Sequence, residues 1–572
     1  MGRLFKRAKR GNYRRVVSTA LALLGVCAAT SARAGDSGAA MVVTTAGGPV
    51  AATSRGVLQS YFAIPYAAPP IGDLRWRAPA PAPKWTAPIT KSKSAASCLQ
   101  TGNNAFVSPG GSEDCLYLDV HMPSGKGPFP VMVWIHGGAF TTGSAGGYAD
   151  ATPLVSKGVI VVAINYRLGA MGFLAHPALR DAEGSAGDYG MMDQQAALAW
   201  VRANIAAFGG DARNVTIFGE SAGGFSVLTH LASPRSAGLF DKAIIESGAY
   251  GVSGQLTQAG MEAKSAVALE KTLAGEDAGP ACATGTVTAE CLRGLPETLI
   301  RKRLMSAYSD AIGNLVPSID GKVLKQTVRD TFVAGANNKV PVINGSNEDE
   351  NLLFVAMGEM GARFASKPPK LDPADRSFLM SPQAYAKGAE SLAAETGIPV
   401  RDLTDKYYPL AKFGSDVALQ PSRATAAVGT DSTFSCNGAN VSARIAAQGA
   451  PVWMYEFRDQ TAVPLLGAFG GKYVLSLPMG AAHASELPYL FAMVGDAQNA
   501  EQRALLATMS AYWTNFARAG DPNGAGLPKW AGFKSGKVQA LDVASGGGVQ
   551  AMPAAGFAAQ HQCRTAWAKQ AF

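Results

Sequence analysis

A serine stands between glycines two positions away on either side, in Gly219-Glu220-Ser221-Ala222-Gly223. The apolar run Val215-Thr216-Ile217-Phe218 precedes it and Gly224 follows, so the segment reads as strand, tight turn and helix start. A turn of this kind pushes the serine hydroxyl out where it can attack a carbonyl carbon. The helix beyond offers unpaired N–H groups and a positive dipole end, both suited to a developing oxyanion. The bland alternative is a glycine-rich turn with an N-capping serine, and the strand–helix context favours the nucleophile.

A serine hydroxyl is a weak nucleophile and needs a base, usually histidine, oriented by an acid. There are six histidines: His121, His136, His176, His230, His483 and His561. At elbows of this kind the acid and then the base follow the serine in chain order. His230 lies nine residues along the helix that starts at Ser221, so it points elsewhere. His561, beside Cys563 near the C-terminal end, reads as structural. His483 remains, in the small-residue loop Gly480-Ala481-Ala482-His483-Ala484-Ser485. For the acid, Val340-Pro341-Val342-Ile343 leads through a turn to Glu348, Asp349 and Glu350. Spacing does not choose among these three, and two of them are expected to be solvated loop charges.

The elements that must position these groups read as α/β. Near-continuous apolar runs at 130–135, 159–164, 215–218, 243–245 and 340–343 each end in a glycine or polar turn. Such runs suit strands covered on both faces of a parallel sheet. Leu198, Val201, Ile205 and Phe208 mark one face of a helix that Gly209 stops. Residues 251–335 and 355–430 carry helical spacing without strong strands and read as insertions over the sheet. No linker interrupts residues 35–572, which are expected to form one domain.

The chain has 572 residues, 47% hydrophobic and 16% charged, which allows an extensive core and excludes global disorder. No repeat points to a solenoid or propeller. The net charge of +9 is local. Residues 1–34 hold eight Lys or Arg and no acid, so the remaining 43 basic residues face 42 acidic ones, a net of +1. A nucleic-acid surface has no support. Residues 1–34 instead read as a signal peptide: a basic start to Arg15, an apolar run Val16–Ala29, and the exit Ala32-Arg33-Ala34. Arg14-Arg15 also fits a twin-arginine route. The apolar run is too short to span a membrane, and no stable membrane anchor is expected. The protein is read as exported, periplasmic or secreted.

Six cysteines follow the leader: Cys98, Cys115, Cys282, Cys291, Cys436 and Cys563. An even count in an oxidising compartment suggests three disulfides. Fifteen connectivities exist on paper; Cys98–Cys115 and Cys282–Cys291 are the natural local pairs, which leaves Cys436–Cys563. The spacings argue against a structural zinc site.

Together these residues resemble the type-B carboxylesterase/cholinesterase family, from about Gly48 to Trp567. Beside the elbow Gly219–Gly224, the supporting motifs are Phe62-Ala63-Ile64-Pro65-Tyr66-Ala67 with Pro69-Pro70, and Ser112-Glu113-Asp114-Cys115-Leu116-Tyr117-Leu118. Later come Gly480-Ala481-Ala482-His483 with Glu486-Leu487-Pro488-Tyr489, and Trp513-Thr514-Asn515-Phe516-Ala517 with Gly520-Asp521-Pro522-Asn523. The resemblance implies an α/β-hydrolase fold: a mostly parallel central sheet, helices on both faces and insertions over the active site. It places the acid on Glu350, through Gly345, Asn347, Asp349 and Glu350, with Asn351 where the family usually has Gly. It places nucleophile and base on Ser221 and His483, and oxyanion donors on the N–H groups of Gly138, Ala139 and Ala222, with Ala139 where a third Gly is common. Glu220 and Ser247 match supporting positions, and the same three disulfides are favoured.

The loop Cys98–Cys115 contains no tryptophan. Cholinesterases use one there to hold a quaternary ammonium by cation–π contact, so a general carboxylic-ester hydrolase is the better reading. It would act through an acyl-enzyme on small to medium esters, with water as the second substrate and neither cofactor nor metal. The alternatives are a lipase on long-chain esters and a catalytically idle binding member of the fold. Activity is expected to fall as His483 protonates, at about pH 6–7 for an unshifted imidazole.

Overall fold

The apolar runs assemble into a mixed sheet of eleven strands, which carries every element of the candidate site on one set of strand ends. The computed structural model describes residues 41–55, 58–100, 110–274, 282, 286–464 and 475–570. The leader expected over residues 1–34 lies outside them. In chain order the strands are β1 (Val42–Thr44), β2 (Pro49–Ala51), β3 (Thr53–Arg55), β4 (Leu58–Pro65), β5 (Tyr117–Pro123) and β6 (Phe129–Ile135). Then follow β7 (Ile160–Ile164), β8 (Gly210–Glu220), β9 (Lys242–Glu246), β10 (Val342–Asn347), β11 (Val452–Phe457), β12 (Lys537–Leu541) and β13 (Gln550–Pro553). Strands β1 and β2 pair separately; the large sheet runs β13-β12-β11-β10-β9-β8-β6-β7-β5-β4-β3. From β7 to β12 neighbours are parallel, and both edges are antiparallel.

The continuous apolar runs are explained by burial on both faces. On β6, Val131, Val133 and Ile135 enter one core while Met132 and Trp134 enter the other, as the two-residue period of a strand requires. Strand β7 divides in the same way, with Ile160, Val162 and Ile164 against Val161 and Ala163. The helices Tyr189–Asn204 and Ala222–Ala232 supply Leu198, Val201 and Phe225 to the first core. Helix Ala500–Ala519, opened by an Asn499–Gln502 capping box, supplies Leu505, Met509, Trp513 and Phe516 to the second. The helix expected to stop at Gly209 ends at Asn204, and a 3₁₀ turn, Ile205–Phe208, carries the chain on to it.

Residues 41–572 make one compact unit. Among the described residues, 251–335 and 355–430 carry helices and no named strand, including Gln258–Leu273, Met305–Ile312, Pro382–Thr396 and Gln420–Gly429. Disulfides join Cys98 to Cys115, Cys282 to Cys291 and Cys436 to Cys563. Among the described residues no helix is long and apolar enough to cross a membrane.

Candidate active site

Strand β8 ends at Glu220, the next helix starts at Ala222, and Ser221 between them has φ 55° and ψ −120°. A serine in this sparsely populated region costs about 1–3 kcal/mol, a strain that clusters at functional sites. The glycines make the crossing possible: a Cβ on Gly223 would lie 1.9 Å from the Ile135 carbonyl oxygen, and one on Gly219 only 2.6 Å from it. The Ser221 amide donates to the Glu246 carbonyl at 2.9 Å, tying the elbow to β9.

Past the end of β6 the chain passes over this elbow. A Cβ on Gly137 would come 3.1 Å from the Ser221 Cβ. Gly138 and Ala139 have φ 107° and 54°. The amides of Thr141 and Thr142 both donate to the Gly138 carbonyl at 3.0 Å. The His136 ring stacks 4.4 Å from Tyr166, whose hydroxyl donates to the His136 carbonyl. With the loop so fixed, the N–H groups of Gly138 and Ala139 donate to no acceptor among the described residues. Ala222 begins the helix, where amides have no intrahelical acceptor. The Ala139 methyl is exposed and leaves its N–H in place.

His483 arrives from a distant loop and is 5% exposed. Its Nδ1 lies 2.5 Å from Glu350 Oε2, and its amide donates to the Glu350 carbonyl at 3.2 Å. The other Glu350 oxygen accepts from the Asn347 amide at 2.8 Å, so the carboxylate is held from both sides. Of the three consecutive carboxylates, only Glu350 is fully buried against the histidine. The other two are not free loop charges, contrary to the sequence expectation: Glu348 pairs with Arg458 at 2.5 Å, and Asp349 accepts from Gln460 at 2.6 Å. Strand β11 and the loop after it, absent from the sequence reading, supply those partners. Asn351 has φ −78°, a conformation that needs no glycine, and its amide donates to Thr430 Oγ1.

Glu220 reaches the other side of the imidazole, with Oε1 3.0 Å from His483 Nε2. The approach is not a hydrogen bond: Nε2 has none among the described residues. Burial lowers the basicity of His483, but Glu220 and then Glu350 outweigh it and raise the pKa from 6.5 to about 9. Burial pushes Glu220 up to about 7, His483 pulls it down, and Glu350 adds to the rise. The sequence expectation of an unshifted imidazole is therefore corrected upward. Ser247 lies past the end of β9 with φ 50°, and its buried hydroxyl has no partner among the described residues.

The other histidines are placed elsewhere. His230 is buried between Ser236 and Gln194, at 2.9 Å from each, and burial lowers it to about 3. His561 is buried between Asp431 and Glu456 beside the Cys436–Cys563 bridge. Sequence reasoning missed the aromatic sleeve of His483, Phe354 at 5.2 Å and Phe434 at 5.1 Å between ring centres. It also missed Tyr250, whose ring lies 5.8 Å from Phe434. Aromatic residues in helical stretches are ordinary core residues by pattern, so no local signal marked them.

A strained serine, unclaimed amide donors across from it, and an imidazole held at Nδ1 by a buried carboxylate are the parts of acyl transfer. On this sheet they define a hydrolase of the α/β-hydrolase fold. The sequence pattern of the Carboxylesterase family matches residues 39–560, and the chain belongs to that family. It is 34% identical over 523 residues to a fumonisin B1 esterase of Sphingopyxis macrogoltabida, covering 87% of this chain and 86% of that one. It is 33% identical over 498 residues to the para-nitrobenzyl esterase of Bacillus subtilis (strain 168), covering 84% and 90%. A solved PNB esterase structure superposes with a TM-score of 0.70 at 28% identity, covering 93% of this chain and all of that one. The chain is a carboxylic-ester hydrolase.

Proposed function

We propose that Ser221 is the nucleophile, His483 its general base and Glu350 the acid that orients the histidine. Ser221 Oγ attacks the ester carbonyl carbon as His483 Nε2 takes its proton. The tetrahedral oxyanion is received by the N–H groups of Gly138, Ala139 and Ala222. His483 then protonates the leaving alcohol, and water activated by the same nitrogen releases the acid from the acyl-enzyme. The observation that carries this reading is the 2.5 Å contact of His483 Nδ1 with a fully buried Glu350, behind a serine on a strained elbow. Glu220 supports the charge that develops on the imidazole.

Small to medium esters are the proposed substrates. An apolar cavity of about 610 Å³, within the range of small-molecule sites, is lined by Phe354, Val355, Leu379 and Met380. Phe354 also packs on His483, which sets the cavity beside the reacting atoms. The names of the relatives add para-nitrobenzyl and fumonisin B1 esters as assay substrates. Residues 1–34 are proposed as an export leader and 35–572 as the mature domain, with three disulfides suited to an oxidising compartment. N-terminal sequencing of exported protein should find a start near Gly35; retention of Met1 would refute the leader.

Stopped-flow hydrolysis of p-nitrophenyl acetate, butyrate and palmitate tests the mechanism. A nitrophenol burst followed by turnover on the short esters is expected, and none in Ser221→Ala. A preference for emulsified palmitate would replace the esterase reading with a lipase. An unchanged rate in Ser221→Ala would remove the nucleophile.

A further inference from the structure

Ser221 has a neighbour that this reaction scheme does not require. Tyr250 lies four residues past the end of β9 and is 7% exposed. The chain is pressed there against the helix that starts at the nucleophile: a Cβ on Gly248 would be 2.6 Å from the Gly224 Cα. The Tyr250 ring packs 5.3 Å from Phe225 on that helix and 5.8 Å from Phe434, which flanks His483 at 5.1 Å. Wedged between nucleophile and base, the tyrosine shares a side-chain hydrogen bond with Ser221. His483 Nε2, meanwhile, has no hydrogen bond among the described residues and faces Glu220 Oε1 at 3.0 Å. Nucleophile and base are each beside another partner.

We infer that Tyr250 is a positioning residue that holds the Ser221 hydroxyl apart from His483 in the substrate-free enzyme, and so governs acylation but not deacylation. The inference rests on Ser221 being the nucleophile. For acylation the serine proton must pass to His483 Nε2, so the bond to Tyr250 has to break first. Burial and the nearby Glu220 raise the phenol well above its ordinary pKa. Tyr250 therefore keeps its proton throughout and serves as neither acid nor base. Once Ser221 is acylated its oxygen carries no proton and is a poor acceptor, so hydrolysis of the acyl-enzyme starts without that restraint.

Tyr250→Phe removes the hydroxyl and keeps the ring between Phe225 and Phe434. The burst rate constant on p-nitrophenyl acetate, and the rate of Ser221 phosphonylation by a fluorophosphonate, should each rise about two- to tenfold, the span of one ordinary hydrogen bond. The steady-state rate after the burst, its pH midpoint and the melting temperature should stay as in the wild type. A burst that is unchanged or slower overturns the inference, as does a loss shared by both phases together with a lower melting temperature. A wild type that the fluorophosphonate does not label at Ser221 defeats the nucleophile reading itself. A labelled wild type with no gain in the variant defeats only the role of Tyr250. If Tyr250→Phe fails to fold, Tyr250→Met keeps apolar bulk without a hydroxyl and reads the same quantity.

Discussion

Two buried histidines, His483 and His561, each lie between two carboxylates, and they do different work. His483 has Glu350 at Nδ1 and Glu220 near Nε2; His561 has Asp431 at Nδ1, 2.6 Å, and Glu456 at Nε2, 2.5 Å. Both are raised above the ordinary imidazole value, to about 9 and about 10, because the flanking carboxylates outweigh burial. The difference is at Nε2. At His561 both nitrogens are hydrogen-bonded, Asp431 also accepts from Tyr408, and the Cys436–Cys563 bridge closes the cluster. At His483 the second nitrogen makes no hydrogen bond and a serine stands on the adjoining elbow. A histidine with both nitrogens engaged is a clamp; one with a nitrogen left open can exchange a proton.

Substitutions at the two sites should separate these roles. His483→Ala should lower kcat by about 10⁴ or more, the usual cost of losing a triad member, with little change in melting temperature. His561→Ala should leave kcat/KM of the folded fraction within a few-fold and cost about 3–5 kcal/mol, the penalty for breaking a buried ion cluster. Steady-state kinetics beside urea denaturation read both, and a large kcat loss at His561 would erase the distinction.

The pH dependences should differ as well. Free imidazole is the base, so kcat/KM rises with pH through the His483 pKa, with a midpoint above 6.5. A midpoint at or below 6.5 would mean that the carboxylates do not hold the charge. For His561 the folded pKa lies above the unfolded one. Its stabilisation is therefore fully present below about 6.5 and lost as pH rises toward about 10. The stability gap between wild type and His561→Asn should accordingly shrink from pH 6 to pH 10. The smallest effect expected is in Glu220→Gln, which should move the kcat/KM midpoint to lower pH; no movement would deny Glu220 its influence on Nε2.

Much of the site was legible locally. Gly219 and Gly223 announce the elbow because no Cβ fits against the Ile135 carbonyl, and that steric demand is written in five consecutive residues. Strands β6 to β10 were legible because burial on both faces removes polar residues from the run. Strand β11 was not: it reads Val-Trp-Met-Tyr-Glu-Phe, and the buried Glu456 that interrupts it is tolerated only through His561. Asp349 and Glu348 were read as solvent charges because Arg458 and Gln460 lie more than 100 residues away in the chain.

The sequence by itself determined the family, the strand–turn–helix that strains Ser221 and the pairing of its cysteines by proximity and resemblance. These depend on backbone sterics and on residue patterns a few positions long. Only the tertiary structure decided how Glu220 stands to His483 Nε2, how Phe354, Phe434 and Tyr250 enclose the site, and why two similar histidines differ. Those outcomes depend on distances between segments separated by tens to hundreds of residues, and a proton's affinity is set by the charges and burial that folding gathers around it.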